Sequence, residues 1–234
     1  MSFFAYFSSF AYDLQPLLLT FELAALTTLI LLLIGIPLAY SLAFSRSRFK
    51  PVFETLVSMP LVLPPSVLGF YLLLAFSPQF AFGQWLVQTF DVRLVFSFAG
   101  LVIGSVIFSL PFMVHPIQSG LQNLPFSLVE ASRTLGKSDS YTLFHVLLPN
   151  IKSALLTGVV LSFAHTIGEF GVVLMIGGNI PGVTKVASIA IYDEVESLNY
   201  GAAHFYAMVL FTVSFAVLLL VYTGKRRYLQ TFLR

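Results

Sequence analysis

Long stretches of this chain carry almost no charged side chains, and each is long enough to cross a lipid bilayer. Over the whole chain 58% of residues are hydrophobic and 9% are charged, whereas about a quarter are charged in a soluble domain. Backbone amides must be hydrogen-bonded inside hydrocarbon, so spanning segments form helices or closed barrels, and unbroken apolar runs exclude barrel strands. The sequence therefore predicts an all-α, polytopic helical membrane protein.

The apolar pattern predicts five membrane-spanning helices, because about 20 residues suffice to cross a bilayer. Their approximate limits are Pro16 to Phe44, Val52 to Phe76, Phe98 to Ile117, Ile151 to Gly178 and Ala202 to Thr223. These spans leave no room for a soluble catalytic domain in 234 residues. Residues 1–234 are thus predicted to form a single membrane domain.

Two of the spans should depart from a straight helix. The second contains Pro60, Pro64 and Pro65, and a helix loses hydrogen bonds and bends at proline. The fourth is too long for one crossing and offers Gly168, Gly171, Gly177 and Gly178 as places to break. Between the second and third spans, residues 77–97 are predicted to be a loop with Trp85 at the membrane interface.

The distribution of positive charge predicts the orientation, because lysine and arginine are retained on the cytoplasmic side. With five spans, ten of the twelve basic residues fall on one side and only Arg93 and Lys185 on the other. The ten are Arg46, Arg48, Lys50, Arg133, Lys137, Lys152, Lys225, Arg226, Arg227 and Arg234. We therefore expect the N-terminus outside and the C-terminus in the cytoplasm. The start, "MSFFAYFSSFAYD", has no basic region, so we expect an uncleaved anchor with its phenylalanines on the outer surface.

The stretch "EASRTLGKSDSYTLFHVLLP", Glu130 to Pro149, gathers charges, a glycine and a proline within a predicted cytoplasmic loop at about residues 119–150. Pro125 suits a first helical turn, Glu130 and Arg133 fall on one helix face, and Gly136 suits a left-handed residue after the helix end. Ser138 or Asp139 can cap a second helix that runs to Pro149. This chemistry predicts a helix, a sharp turn and another helix, although an ordinary amphipathic loop is equally compatible with it.

The spacing of this stretch is specific. Glu130-Ala131-Ser132, three residues, Gly136, nine residues, Val146, one residue and Leu148-Pro149 resembles the EAA motif of the membrane subunits of bacterial ABC importers. Ser132 and Val146 stand where the family has alanine and isoleucine, and both keep size and helix compatibility. The resemblance implies that this loop couples to a cytoplasmic ATPase. The implied coupling residues are Glu130, Ala131, Ser132, Arg133, Gly136, Leu148 and Pro149.

A second stretch narrows the resemblance. "GEFGVVLMIGGNIPGVTKVASIAIYDEVES", residues 168–197, is similar to the corresponding region of molybdate permeases and, less closely, of sulfate permeases. The resemblance implies a type I ABC importer permease fold in a bacterial inner membrane, without a cofactor. It also implies a homodimer with two ATPase subunits, an external oxyanion-binding protein and a path on the two-fold axis. Molybdate is the implied substrate, with tungstate, sulfate or thiosulfate as alternatives.

Glu169 admits two interpretations. A carboxylate within a membrane span is a functional candidate by default, but a negative charge is a poor ligand for a dianion. It can instead accept hydrogen bonds from amides freed by a helix break, or pair with His165 four residues earlier. Bracing or a gate is therefore favoured over direct contact with substrate.

The path of an oxyanion should offer neutral hydrogen-bond donors, because a tightly held ion is not released. The second and fourth spans are predicted to line it. The candidate path or gate residues are Ser66, Ser109, Ser162, Thr166, Gly168, Glu169 and Gly171, and Ser105 is a further hydroxyl. Serine and threonine also pack between membrane helices without any role in transport.

Several other functions are disfavoured. No GxxxxGK[ST] loop occurs, so the chain is not predicted to hydrolyse ATP or to be an enzyme. The absence of cysteine removes a thiol nucleophile and thiolate metal sites, and two ligands such as His165 and Glu169 do not make a metal site. A nucleic-acid partner is not expected. An autonomous anion carrier or channel is the alternative from a different class, but it does not need the EAA-like stretch.

Overall fold

The structure is a computed structural model that describes residues 13–232, with side chains described to residue 219 and at Thr223. The predicted surface position of the phenylalanine-rich start therefore lies outside the described residues. All regular secondary structure in the described part is helical. Its helices are α1 (Gln15–Phe44), α2 (Lys50–Val62), α3 (Pro65–Phe76), α4 (Ala81–Phe90), α5 (Phe98–Gln122), α6 (Ser127–Thr134), α7 (Asp139–Asn150), α8 (Lys152–Ile167), α9 (Gly171–Gly177), α10 (Ala187–Glu196) and α11 (Tyr200–Phe232).

The predicted all-α membrane fold with about five spans is confirmed. Helices α1 and α5 and residues Tyr200–Leu219 of α11 are long and apolar enough to cross a membrane. The bent pairs α2–α3 and α7–α8 raise the number to as many as five if each pair is one span. Helix α5 continues five residues beyond the predicted Ile117, and α11 begins two residues before the predicted start and runs past Thr223.

Both spans that were predicted to be irregular are broken. Helices α2 and α3 meet at an angle of 113°, at Pro64, which has an extended backbone and precedes Pro65. A residue before proline is biased away from the helical conformation, so the break follows from the sequence. The fourth span ends as α8 at Ile167 and resumes as α9 at Gly171, which leaves three residues of non-helical backbone between them.

The prediction of a loop over residues 77–97 is wrong for ten of its residues, which form α4. This helix is amphipathic, and its aromatic rings contact one another. Phe82 stacks on Trp85 at 5.9 Å between ring centroids, and Trp85 meets Phe90 edge to face at 5.4 Å. Trp85 is half exposed, as expected of an aromatic residue at the membrane interface. The segment is too short to span a bilayer, so hydropathy alone did not reveal it.

The centre of the bundle is formed by α1, α5 and α8, which pack against one another along their lengths. Two apolar clusters divide this centre. One contains Leu23, Leu101 and Ile176, and the other contains Leu31, Met113, Ile117 and Leu147. A layer of buried hydroxyl side chains lies on the same three helices between the two clusters. Its members are Thr27, Ser105, Ser109, Ser162 and Thr166.

Hydrogen bonds between distant parts of the chain place the helix ends in two groups. The Tyr206 hydroxyl donates to the Asp13 carbonyl at 2.7 Å, so the starts of α11 and α1 lie together. The Phe96 amide donates to the Ile176 carbonyl at 2.9 Å, beside the start of α5. At the other end, the Gln118 amide donates to the Glu54 carboxylate at 2.7 Å. Five spans that cross the membrane in alternating directions bring their helix ends together in these two groups.

The orientation of these two ends can be tested with single cysteines, because the natural chain has none. Ser138 and Asn179 are exposed and lie in the groups that the positive charges assign to the cytoplasm and to the outside. We expect Ser138→Cys to react with an impermeant maleimide only after the cytoplasmic side is opened, and Asn179→Cys to react in intact cells. Reaction of Ser138→Cys from outside would contradict the orientation.

Candidate functional site

The EAA-like stretch forms the predicted pair of helices with a sharp turn between them. Helix α6 ends at Thr134, and Gly136 has a φ of 70°, in the left-handed region that glycine adopts at little cost. The Ser138 hydroxyl then accepts a hydrogen bond from the Tyr141 amide and caps α7. The turn, the glycine and the cap therefore lie where the local sequence predicts them.

Side chains on the inner faces hold this hairpin together. The Ser132 and Thr142 hydroxyls are buried and lie 2.7 Å apart, so the serine that replaces the family's alanine links α6 to α7. Val129, Leu143 and Leu147 are also buried, in the apolar cluster that contains Met113. The hairpin thus packs on the membrane bundle as one unit and does not hang from it as a free loop.

The outer face of the hairpin is polar with one apolar projection. Glu130, Ala131, Arg133 and Pro149 are exposed, and Leu135 is 75% exposed beside Gly136. Leu148 is partly buried against the cluster. Arg133 does not use Glu130 as its partner, because it donates to Asp139 across the turn at 3.1 Å. Both partners are more than half exposed, so this ion pair contributes little stability.

Helix α7 carries a local irregularity and a stacked group of side chains. Residues Leu143–Leu147 form a π-helical turn, a feature often found at functional positions. The His145 ring stacks on Tyr141 with 4.2 Å between centroids, and the Lys137 ammonium lies 4.9 Å from the centre of the same Tyr141 ring. This stack orders the exposed side of α7 next to the outer face of α6.

The breaks in the second and fourth spans lie directly against each other. A side-chain carbon at Gly171 would lie 2.7 Å from the Pro65 β-carbon and 3.3 Å from the Ser66 amide nitrogen, and one at Gly69 would lie 2.8 Å from the Met175 β-carbon. Helices α3 and α9 therefore touch through glycine and run as a pair from the two breaks. Nothing in the apolar pattern of either span predicts this contact.

The candidate path residues divide into two groups. Ser66 and Gly168 are exposed at the breaks, and Gly171 is partly exposed. The rest lie inside the protomer: Ser109, Ser162, Thr166 and Glu169 are buried. Among these, the Ser109 hydroxyl lies 3.0 Å from the Thr166 hydroxyl, which donates to the Ser162 carbonyl at 2.9 Å.

Glu169 lies in the break between α8 and α9 and is 4% exposed. Its carboxyl group lies beside the Ser105 hydroxyl, but no hydrogen bond of good geometry joins either carboxyl oxygen or that hydroxyl to a described residue. Its backbone carbonyl accepts a hydrogen bond from Ser188 at 2.6 Å, which ties the break to α10.

The pairing of Glu169 with His165, one of the two possibilities raised from the sequence, is not observed. The His165 Nδ1 atom lies 2.9 Å from the Ser109 hydroxyl, and its ring stacks on Phe112 at 4.0 Å between centroids. The four-residue rule requires a continuous helix, and the backbone leaves the helix at Gly168.

The chain matches known proteins over nearly its whole length. A family model described as "Binding-protein-dependent transport system inner membrane component" matches residues 16–234. The chain is 47% identical over 218 residues to the molybdenum transport system permease protein ModB of Azotobacter vinelandii, covering 92% of this chain and 95% of that protein. It is 32% identical over 194 residues to the sulfate transport system permease protein CysT of Escherichia coli, covering 83% and 70%.

Solved structures with the same fold are more distant in sequence. A structure of the MetNI methionine ABC transporter in an inward-facing conformation matches with a TM-score of 0.69 at 15% identity, covering 89% of this chain and 92% of that chain. A bacterial ABC transporter for the import of alginate matches with a TM-score of 0.71 at 16% identity, covering 97% and 84%. The predicted fold of an ABC importer permease is confirmed, and the chain belongs to the family of binding-protein-dependent transport system inner membrane components.

Proposed function

We propose that this chain is the membrane subunit of an ATP-driven importer for molybdate. The observation that carries the proposal is the 47% identity to a molybdenum permease along nearly the full length of both chains. The coupling hairpin, ordered by Gly136 and by the Ser132 and Thr142 hydroxyls, supports the ATP-driven class. An autonomous carrier has no use for such a surface.

The energy in this proposal comes from a separate ATPase subunit, because no phosphate-binding glycine loop occurs in the chain. The exposed face of α6, with Glu130, Arg133 and the projecting Leu135, is the surface we assign to ATPase docking. A projecting apolar side chain surrounded by charged residues matches the apolar core and polar rim of a protein interface. Because the hairpin packs on the bundle, movement of α6 reaches the spans on either side of it.

Two copies of the whole chain, residues 1–234, are proposed to act together, with the oxyanion passing between them. The paired breaks at Ser66 and Gly168 are the best-placed part of each copy for this path, because both residues are exposed. Irregular backbone at membrane depth is tolerated where it lines a water-filled cavity or is buried in protein. We assign Ser109, Ser162, Thr166 and Glu169, which are buried, to the support of this region.

The substrate is proposed from the relatives, and the source of the anion from the scarcity of positive charge on the outer side. An external binding protein is assigned the capture of the anion, because the chain has only Arg93 and Lys185 on its outer side, and Lys185 is paired with Asp193 at 2.6 Å. Tungstate has the same charge as molybdate and nearly the same size, so we expect it to be transported as well. Sulfate is the second candidate, since a sulfate permease is 32% identical to this chain.

The substrate assignment predicts which oxyanion stimulates ATP hydrolysis. With the full complex in lipid vesicles and its binding protein present, molybdate and tungstate should raise the ATPase rate several-fold, and sulfate at the same concentration should raise it much less. Hydrolysis of radiolabelled ATP against oxyanion concentration measures this. Equal stimulation by sulfate and molybdate would replace the molybdate assignment with a broader oxyanion importer, and failure to co-purify with any ATPase would support the autonomous carrier.

A further inference from the structure

An open cavity of about 430 Å³, with a mixed polar and apolar lining, lies at the end of the bundle that carries the coupling hairpin. Its walls are the last turn of α5 and the first turns of α8, and the two helices approach closely at Gly120, where a β-carbon would lie 2.7 Å from the Ala154 β-carbon. No residue assigned above to the coupling surface or to the path lines this cavity. Its polar lining residues are Ser119, Asn123, Asn150, Ser153 and Thr157.

The lining is rich in neutral hydrogen-bond donors. Asn150 and Thr157 each donate to a backbone carbonyl of their own helix, at 2.6 Å and 2.7 Å. The Ser119 and Ser153 hydroxyls and the Asn123 amide have no partner among the described residues. Two hydroxyls and one amide group are thus available to a ligand. All three are partly or fully exposed, so a ligand can reach them from the solvent.

The charge of the cavity favours an anion over a cation. None of the residues that line it is acidic, and Lys152, which is exposed, stands between the lining residues Ile151 and Ser153. This is the end of the bundle to which most of the lysine and arginine residues are assigned. Neutral donors with a cation nearby attract a divalent oxyanion without holding it tightly, and weak holding is what release requires.

The position of the cavity connects it to the hairpin. Asn123 directly follows α5, and Asn150 is the last residue of α7, so the segment between them is the loop that contains α6 and α7. A displacement of the hairpin relative to α5 therefore acts on these two side chains directly. We propose that this cavity is the release site for the transported oxyanion on the cytoplasmic side, and that movement of the coupling hairpin alters its affinity; the inference rests on the proposed function.

A pair of adjacent amide side chains allows a matched test. Asn123 lines the cavity, whereas the next residue back, Gln122, is also exposed but does not. Asn123→Asp and Gln122→Glu each replace an amide by a carboxylate of the same shape, so they add the same charge one residue apart. A second variant, Ser119→Ala with Ser153→Ala, removes both free hydroxyls without adding charge.

The measurement is the import of radiolabelled molybdate per ATP hydrolysed by the complete complex in lipid vesicles. Asn123→Asp should lower this ratio at least fivefold because the added charge repels the dianion, and the double serine variant should lower it about threefold. Gln122→Glu should change it less than twofold.

The outcomes separate this inference from the function on which it rests. If the natural complex imports no oxyanion at all, the proposed function is wrong. If it imports molybdate and the Asn123→Asp and double serine variants both keep the ratio of the natural complex, the cavity is not a release site and the importer stands. A loss of equal size in Asn123→Asp and Gln122→Glu would also overturn the release site, since the effect would then follow from charge near the hairpin and not from the cavity.

Discussion

Gly136→Val should give a permease that inserts and dimerises normally but imports little substrate for the ATP it consumes. Gly136 has a φ of 70° and open space around its α-carbon, with nothing within 4 Å of a built β-carbon. The substitution therefore acts through backbone conformation and not through a clash. A left-handed conformation costs a side-chain-bearing residue about 1–2 kcal/mol, which lowers the population of that turn by a factor of about 5 to 30.

Asparagine is the matched control at this position, because its short polar side chain tolerates the left-handed region. We expect Gly136→Asn to keep most of the transport and Gly136→Val to lose it, with similar amounts of both in the membrane. Import and ATP hydrolysis per complex are measured together. Equal import by the two variants would mean that the turn conformation is not needed for coupling.

Reversing the charge of Glu130 is a second test of the same surface. Glu130 is exposed, and it forms no ion pair among the described residues, since Arg133 pairs with Asp139. Glu130→Lys should therefore disturb docking to the ATPase without disturbing the hairpin, and Glu130→Gln should have a smaller effect. If Gly136→Val and Glu130→Lys both assemble with the ATPase and import at the natural rate, the hairpin is only a surface loop.

The hairpin could be predicted from the sequence because local residues determine it. Gly136 fixes the left-handed position, and Ser138 supplies the cap at the first turn of α7. A glycine turn and a serine cap each act within a few residues and do not depend on the rest of the fold. The breaks of the second and fourth spans were predictable for the same reason, from Pro64, Pro65 and Gly168.

The environment of the candidate path residues could not be predicted in this way. A hydroxyl on an apolar helix suits a water-filled path and a helix–helix contact equally well. Only the packing of α1, α5 and α8 places Ser109, Ser162 and Thr166 inside the protomer, while Ser66 stays exposed. The contact between Gly171 and Pro65 likewise joins spans that are about a hundred residues apart in sequence. The roles of these residues in transport remain predictions.

The buried carboxyl group of Glu169 is expected to have the largest effect of any side chain inside the bundle. It is 4% exposed and lies next to the Ser105 hydroxyl, in a break whose backbone is held by Ser188. A polar group in hydrocarbon is costly unless it finds partners. It lies between α8 and α9, where the helical hydrogen-bond pattern is interrupted, so we propose that it braces the break.

Bracing predicts different outcomes for two substitutions of Glu169. Glutamine has the same length and still donates and accepts hydrogen bonds, so Glu169→Gln should keep partial transport. Leucine has a similar volume but no hydrogen-bonding atom. Glu169→Leu removes the polar neighbour of the Ser105 hydroxyl, and a buried polar group left unsatisfied costs about 1–3 kcal/mol. It should lower import at least tenfold or reduce the thermal stability of the purified complex.

The two measurements distinguish a brace from a bystander and from a substrate ligand. If both variants import at the natural rate and melt at the natural temperature, Glu169 has no part in the mechanism. If Glu169→Gln loses import as completely as Glu169→Leu while both complexes keep their melting temperature, the carboxyl group acts directly in translocation and the bracing assignment is wrong. Retention in Glu169→Gln together with loss in Glu169→Leu is the result that a brace requires, because only the hydrogen-bonding capacity of the side chain separates the two variants.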